Sequence, residues 1–178
     1  MAIVDLLREL PAKADRSLFK VERWVTPEEG EILAGFVKHN GIMQVLESGT
    51  ANGYSALWMA SEGVRVDTWD IANRPKLWDS YPELATLSHD GIAFHNDAYA
   101  YGIWKWIQPE AVPHLFFIDG DHEEPWVRKD WEYTKRYAAP GDLIVLHDAK
   151  ACVAVADLAR ETGAEILDTR RGFAVFRA

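Results

Sequence analysis

One cysteine in 178 residues, Cys152, leaves no internal disulfide to form and no set of thiols to hold a metal. That usage fits a reducing, cytoplasmic location. No stretch approaches the roughly 20 apolar residues that span a bilayer, and the chain meets Asp5 and Arg8 before any apolar region long enough for a signal peptide. Neither membrane attachment nor secretion is expected. Positive charge is short as well: 19 Lys and Arg stand against 28 Asp and Glu, a formal net charge of −9. Nonspecific affinity for nucleic acid comes from cations that neutralise phosphates and release counterions, so a nucleic-acid partner is not expected either. Repeats, low-complexity tracts and a visible domain boundary are all missing. With 48% hydrophobic residues, the length suits one core. The expectation is a single domain, 1–178, in which an N-terminal helical segment, 1–40, precedes a core, 41–178.

What is present is an alternation of short β-branched or apolar runs with longer amphipathic ones, the pattern of a parallel sheet with helices on both faces. The strand-like runs are 42–47, 64–69, 92–95, 114–119, 142–147, 164–169 and 172–177, which makes seven. Helical spacing covers 54–62, 75–88, 125–138 and 151–162, with Pro125 suited to a first turn and Gly163 to a C-terminal cap. The last two runs are joined through Arg170, Arg171 and Gly172, too few residues for a crossover helix, so the sheet should end in an antiparallel C-terminal strand. In the N-terminal segment, Thr26 followed three positions later by Glu29 has the form of a capping box.

The strongest local signal is VLESGTANGYSALWMA, 45–60, in which a strand ends at Glu47, a turn carries Gly49 and Gly53, and a helix opens near Tyr54. Glycines at such a turn let a ligand approach the backbone, and the amides of a helix N-terminus attract a polar group. Asp70 ends the next strand, 23 positions beyond Glu47, where a carboxylate can accept hydrogen bonds from ribose hydroxyls. The third strand leads into Asn96 and Asp97, the fourth into IDGDH (118–122), and the fifth into LHDA (146–149). Carboxyl ends of parallel strands collect in one crevice, so Glu47, Asp70, Asp119 to His122, His147 and Asp148 should converge.

The spacing in GTANG is wider than that of the dinucleotide turn, and with Glu47 ahead of it the loop resembles the E/D-x-G-x-x-x-G pattern of class I S-adenosylmethionine-dependent methyltransferases. IDGDH, a following helix with Asp130-Trp131 near its middle, and PGDLIVLHDA (140–149) resemble the small O-methyltransferase-like members of that class. The resemblance covers 43–149. It implies a Rossmann-like sheet and S-adenosylmethionine as cofactor, bound by Glu47, Ser48, Gly49, Thr50, Gly53, Tyr54 and Ser55, with Asp70 and Ile71 at the ribose, Asn96 and Asp97 at the adenine, and Asp119 at the amino-acid end. Related enzymes hold magnesium or another divalent cation, for which Asp119 and Asp148 have suitable oxygens; alternatively Asp148 caps the helix that follows it. Transfer to a neutral hydroxyl needs a base. His122 is the preferred candidate and His147 the competing one, since imidazole titrates near neutral pH.

The acceptor is expected to be a small molecule or a sugar. The N-terminal helices, the 73–90 segment with Trp78 and Tyr81, and AYAYGIWKW (98–106) are the segments available to hold it or to form a homo-oligomer surface. Three other readings stay open at this point: a metal-dependent hydrolase using Asp119, Asp121, His122, His147 and Asp148, a nicotinamide-dependent oxidoreductase, and a noncatalytic cofactor-binding domain.

Overall fold

In the computed structural model, which describes residues 3–13, 24–72, 76–109 and 113–178, one seven-stranded sheet runs through the molecule in the order β3-β2-β1-β4-β5-β7-β6. Its strands are β1 (Gln44–Ser48), β2 (Arg65–Trp69), β3 (Ile92–His95), β4 (His114–Ile118), β5 (Leu143–Leu146), β6 (Glu165–Leu167) and β7 (Phe173–Arg177). The first five pair in parallel, while β7 is antiparallel to both β5 and β6. All seven expected strands are present. In the sheet the antiparallel C-terminal strand sits inside and β6 takes the edge. Burial explains it: Phe173, Ala174 and Val175 are buried, whereas Glu165 and Ile166 of β6 are exposed. The apolar strand goes where both of its sides are paired, and the polar one tolerates the open edge.

Alternate side chains along each strand divide the core in two. On one face Leu46, Phe116, Ile118, Ile144 and Leu146 meet Ile103 of α6 (Tyr99–Trp106), Val127 and Trp131 of α7 (Glu124–Tyr137) and Leu158 of α8 (Val153–Thr162). On the other, Val45, Val66, Leu115, Phe117 and Val145 meet Leu33 and Val37 of α2 (Pro27–His39) and Ala56 and Met59 of α3 (Tyr54–Ala60). A third cluster packs α1 (Ile3–Lys13) on the outside of α3 through Leu6, Leu7 and Leu10 against Leu57 and Trp58.

Two readings about helices, the single helix over 75–88 and a cap from Asp148, differ from the structure. The single helix read over 75–88 is two among the described residues, α4 (Leu77–Ser80) and α5 (Pro82–Gly91), because Pro82 lacks an amide donor and Tyr81 before it is extended, at φ −128° and ψ 96°; Pro75 lies outside the described residues. The 98–106 segment is itself a helix, its Tyr99 and Ile103 buried in the core. Asp148 does not cap α8 through its side chain; Cys152 holds the cap position without a side-chain bond. The capping box at Thr26 and Glu29 forms as expected, and Gly163 ends α8 in the left-handed region at φ +69°.

Candidate active site

Register puts the ends of the parallel strands in line. Ser48 is level with Trp69 and Ile118, Ile118 with Leu146, and Leu146 with Ala174, so the loops after β1, β2, β4 and β5 share one edge. Because β7 runs the opposite way, its beginning lies on that same edge. Between β1 and β4 the connections leave in opposite directions along the sheet, the topological position at which open α/β sheets bind ligands.

The turn after β1 forms one half of the site. Gly49 and Gly53 have φ of +94° and +84°, and a Cβ at either would collide, at Gly49 with the Asp119 carbonyl and at Gly53 with the Trp78 ring. The close approach that demands glycine is therefore made by the chain itself. The amides of Gly49 and Thr50 donate to the Trp69 carbonyl, that of Ala51 to Asp70 Oδ2 at 2.8 Å, and that of Tyr54 to Asn52 Oδ1. Asp70 thus buttresses the turn, with Oδ1 accepting from the Ala72 amide at 2.8 Å. Beside it Ile71 is 79% exposed, an apolar side chain offered to solvent, and Asn96 donates to the Asp70 carbonyl. Asp97 is exposed and accepts from the Ala98 amide.

Glu47 lies beneath the turn, fully buried, where it accepts from Ser55 and, at 2.5 Å, from Thr68, itself bonded to Thr50. Burial pushes its carboxyl up to about 8 against the pull of the two hydroxyl donors. Tyr54 points away from the edge; its hydroxyl donates to the Leu7 carbonyl in α1 at 2.7 Å. Ser48 donates at 2.5 Å to Asp130 of α7, which burial raises to about 6 in spite of that bond. Asp130 therefore ties the end of β1 to the helix after IDGDH.

The other half is a cluster of ionisable groups. Asp119, His122 and Asp148 each place a liganding atom within 4.8 Å of the others. His122 Nε2 donates to Asp148 Oδ2, and Arg171 donates to both Asp148 oxygens, from Nη2 at 2.9 Å and from Nε more closely. Burial alone would raise Asp148, yet the bonds from His122 and Arg171 hold it well below the usual carboxylate range. The bond to Asp148 in turn raises the imidazole of His122. That side chain is 39% exposed, and its Nδ1 has no hydrogen-bond partner among the described residues.

His147, the competing base, is enclosed. Its Nδ1 donates to Asp119 at 2.9 Å and its Nε2 to Glu29 at 3.4 Å, and its side chain has no exposure. Burial would lower this imidazole, but Asp119 and Glu29 outweigh it and push it up to about 10. With both nitrogens engaged and charged, it presents nothing to an acceptor. Glu29 is held at about 2: burial opposes ionisation, and His147, Thr26, the Arg171 amide and Thr169 overcome it.

Glu29 and Arg171 were not legible as site residues. One was read only as a cap and the other only as a turn, although an antiparallel return to the sheet was signal enough to bring Arg171 to the carboxyl edge. Asp121 stays at the surface, accepting from the Glu123 amide. A separate shallow cleft, lined by Lys135, Pro140, Phe176 and Arg177 among others, opens at the opposite edge of the sheet and shares no residue with the cluster.

A family model described as a methyltransferase domain matches residues 46–149, more than half of the chain and the interval that holds the glycine turn, Asp119, His122 and Asp148. The chain belongs to the methyltransferase domain family. Solved structures resemble it over nearly its whole length. An O-methyltransferase from Streptomyces achromogenes involved in tomaymycin synthesis, in complex with S-adenosylmethionine, superimposes with a TM-score of 0.72 at 16% identity, covering 98% of this chain and 88% of that one. An O-methyltransferase from Bacillus cereus in complex with S-adenosylhomocysteine gives 0.69 at 19%, covering 98% and 96%. A Podospora anserina methyltransferase bound to S-adenosylhomocysteine gives 0.69 at 13%, covering 99% and 87%. Comparison with curated proteins found no match. In this methyltransferase domain the sheet order and the antiparallel β7 agree with the fold that the glycine turn and IDGDH imply.

Proposed function

We propose that this chain transfers a methyl group from S-adenosylmethionine to a hydroxyl of a small molecule or sugar, with His122 as the base. The observation that most directly supports the reading is the pairing of the partly exposed His122 with buried Asp148 on the edge that also carries the glycine turn and Asp70. The cofactor fits what is there: a turn with glycines at 49 and 53, Asp70 for ribose hydroxyls, exposed Ile71 against the purine, Asn96 and Asp97 beyond it, and Asp119 nearest the amino-acid end. Ser48, Thr50 and Ser55 keep the turn in shape, and Glu47 and Tyr54 support it from below.

When bound, the sulfonium supplies an already activated methyl group, so the protein has to orient and deprotonate. His122 keeps its Nε2 proton on Asp148 and takes the hydroxyl proton at Nδ1. Asp148 fixes the tautomer, and Arg171 fixes Asp148. His147 positions Asp119 and carries no proton to or from the acceptor. The divalent cation implied by related enzymes meets a poor donor set, because both Asp148 oxygens are taken by Arg171 and His122 and one Asp119 oxygen by His147. No step is routed through it.

The same reading includes one domain, a cytoplasmic location, supported by the buried free thiol of Cys152, and no nucleic-acid partner, supported by the net charge of −9. It also includes self-association, supported by exposed Trp106 and Trp126 and checked by light scattering. No helix among the described residues is long and apolar enough to cross a membrane. Titration calorimetry with S-adenosylhomocysteine tests the core of the proposal. Binding at micromolar ligand supports it, and folded protein that takes up none at high micromolar ligand refutes it.

A further inference from the structure

We propose that Arg171 is a positioning residue standing where a divalent cation would otherwise sit, so that this site excludes metal. The inference deepens the functional reading and rests on it, since it takes the Asp119, His122 and Asp148 cluster to face the acceptor.

Asp148 is fully buried and can remain ionised only beside positive charge. Its permanent share comes from the Arg171 guanidinium, which donates Nε to Oδ1 and Nη2 to Oδ2, the fork that matches a carboxylate and that cannot lose its proton. Oδ2 also accepts from His122, and His147 Nδ1 lies 3.5 Å from Oδ1. A cation bridging Asp119 and Asp148 would have to displace these donors and remain next to a fixed positive charge.

The delivery of Arg171 is built into the fold. Its amide and the Thr169 hydroxyl donate to the same oxygen of Glu29, at 3.0 and 2.7 Å, and the Gly172 amide donates back to Thr169. Gly172 has φ +82°, and a Cβ there would press on Lys150. Glu29, itself buried in α2, thus anchors the hairpin that carries the guanidinium. Asp148, at φ +69°, occupies a region that non-glycine residues rarely enter, which aims its carboxylate into the cluster from a tight turn.

Manganese titration of the full chain, followed by electron paramagnetic resonance, tests the proposal, with metal analysis of the purified protein alongside. Wild-type protein should carry no stoichiometric divalent metal and bind Mn2+ no tighter than about 1 mM. Arg171→Gln removes the permanent charge from beside Asp148 and should bind Mn2+ at least about tenfold tighter than wild type, whereas Arg171→Lys retains a charge and should behave as wild type. A wild-type site of micromolar affinity overturns the inference, and so does an Arg171→Gln protein with native circular dichroism and no gain. If Arg171→Gln does not fold, the wild-type titration decides by itself. S-adenosylhomocysteine calorimetry on the same samples separates the two readings: a tight wild-type Mn2+ site with cofactor binding intact removes only the role of Arg171, and lost cofactor binding removes the proposed function.

Discussion

His122 and His147 share the residue type, the carboxyl edge and a carboxylate neighbour, and exposure and hydrogen bonding separate their chemistry. At 39% exposed, with Nδ1 unbonded among the described residues, His122 can reach an acceptor; His147, at 0%, cannot. His122→Ala should therefore lower methyl transfer by about 10²–10⁴-fold while S-adenosylhomocysteine affinity stays at the wild-type value. Equal losses in both measurements would make His122 a structural residue. Because its bond to Asp148 raises the imidazole, the acidic limb of the rate profile should lie above the ordinary histidine range, with activity growing as pH climbs through it. Asp70→Ala removes the acceptor for two backbone amides as well as the proposed ribose partner, and should weaken S-adenosylhomocysteine binding by about 1.5–3 kcal/mol in calorimetry. Asp70 and the IDGDH and LHDA residues were legible because each sits at the end of an apolar run, where a parallel sheet makes the destination the same for all of them.

Elements explain what single residues do not. The hairpin between β6 and β7 is short, and β7 inserts beside β5, so Arg171 arrives at the edge occupied by loops that precede it by more than twenty residues. α2 contributes Glu29, which receives the Thr26 and Arg171 amides, the Thr169 hydroxyl and His147. A capping residue with those partners joins α2 to the end of β5 and to the β6–β7 hairpin. Glu29→Ala leaves Nε2 of a buried charged imidazole and two part-buried amides without their acceptor, and chemical denaturation should show a loss of about 3–5 kcal/mol; a loss near that of an ordinary cap, about 1 kcal/mol, would reduce Glu29 to its capping role. None of this was visible at Glu29 itself, since a capping box needs only the partner three residues away.

Across the whole molecule, buried carboxylates pull stability in opposite directions with pH. Glu29 is lowered to about 2, so its contribution is present above the unfolded carboxylate value and is lost as pH falls through about 2. Glu47 is raised to about 8, so its contribution is full below the unfolded value and fades as pH rises toward 8. His147, raised to about 10, adds a further decline as pH rises from the ordinary histidine value through about 10. Thermal unfolding across this range should therefore give a maximum on the acid side of neutral. Glu47→Gln should flatten the part of the decline between about pH 5 and pH 8, and an unaltered decline would mean that Glu47 is ionised in the folded protein at neutral pH. The sequence by itself determined the seven strands, the glycine turn and the convergence of acids, because alternating polarity and strand-end position are local properties. Tertiary structure decided that β7 lies inside the sheet, that His147 is sealed and His122 open, and that Glu29 and Arg171 complete the cluster. Those outcomes depend on which apolar strand wins the interior and on which charges are left to neutralise one another once water has been removed.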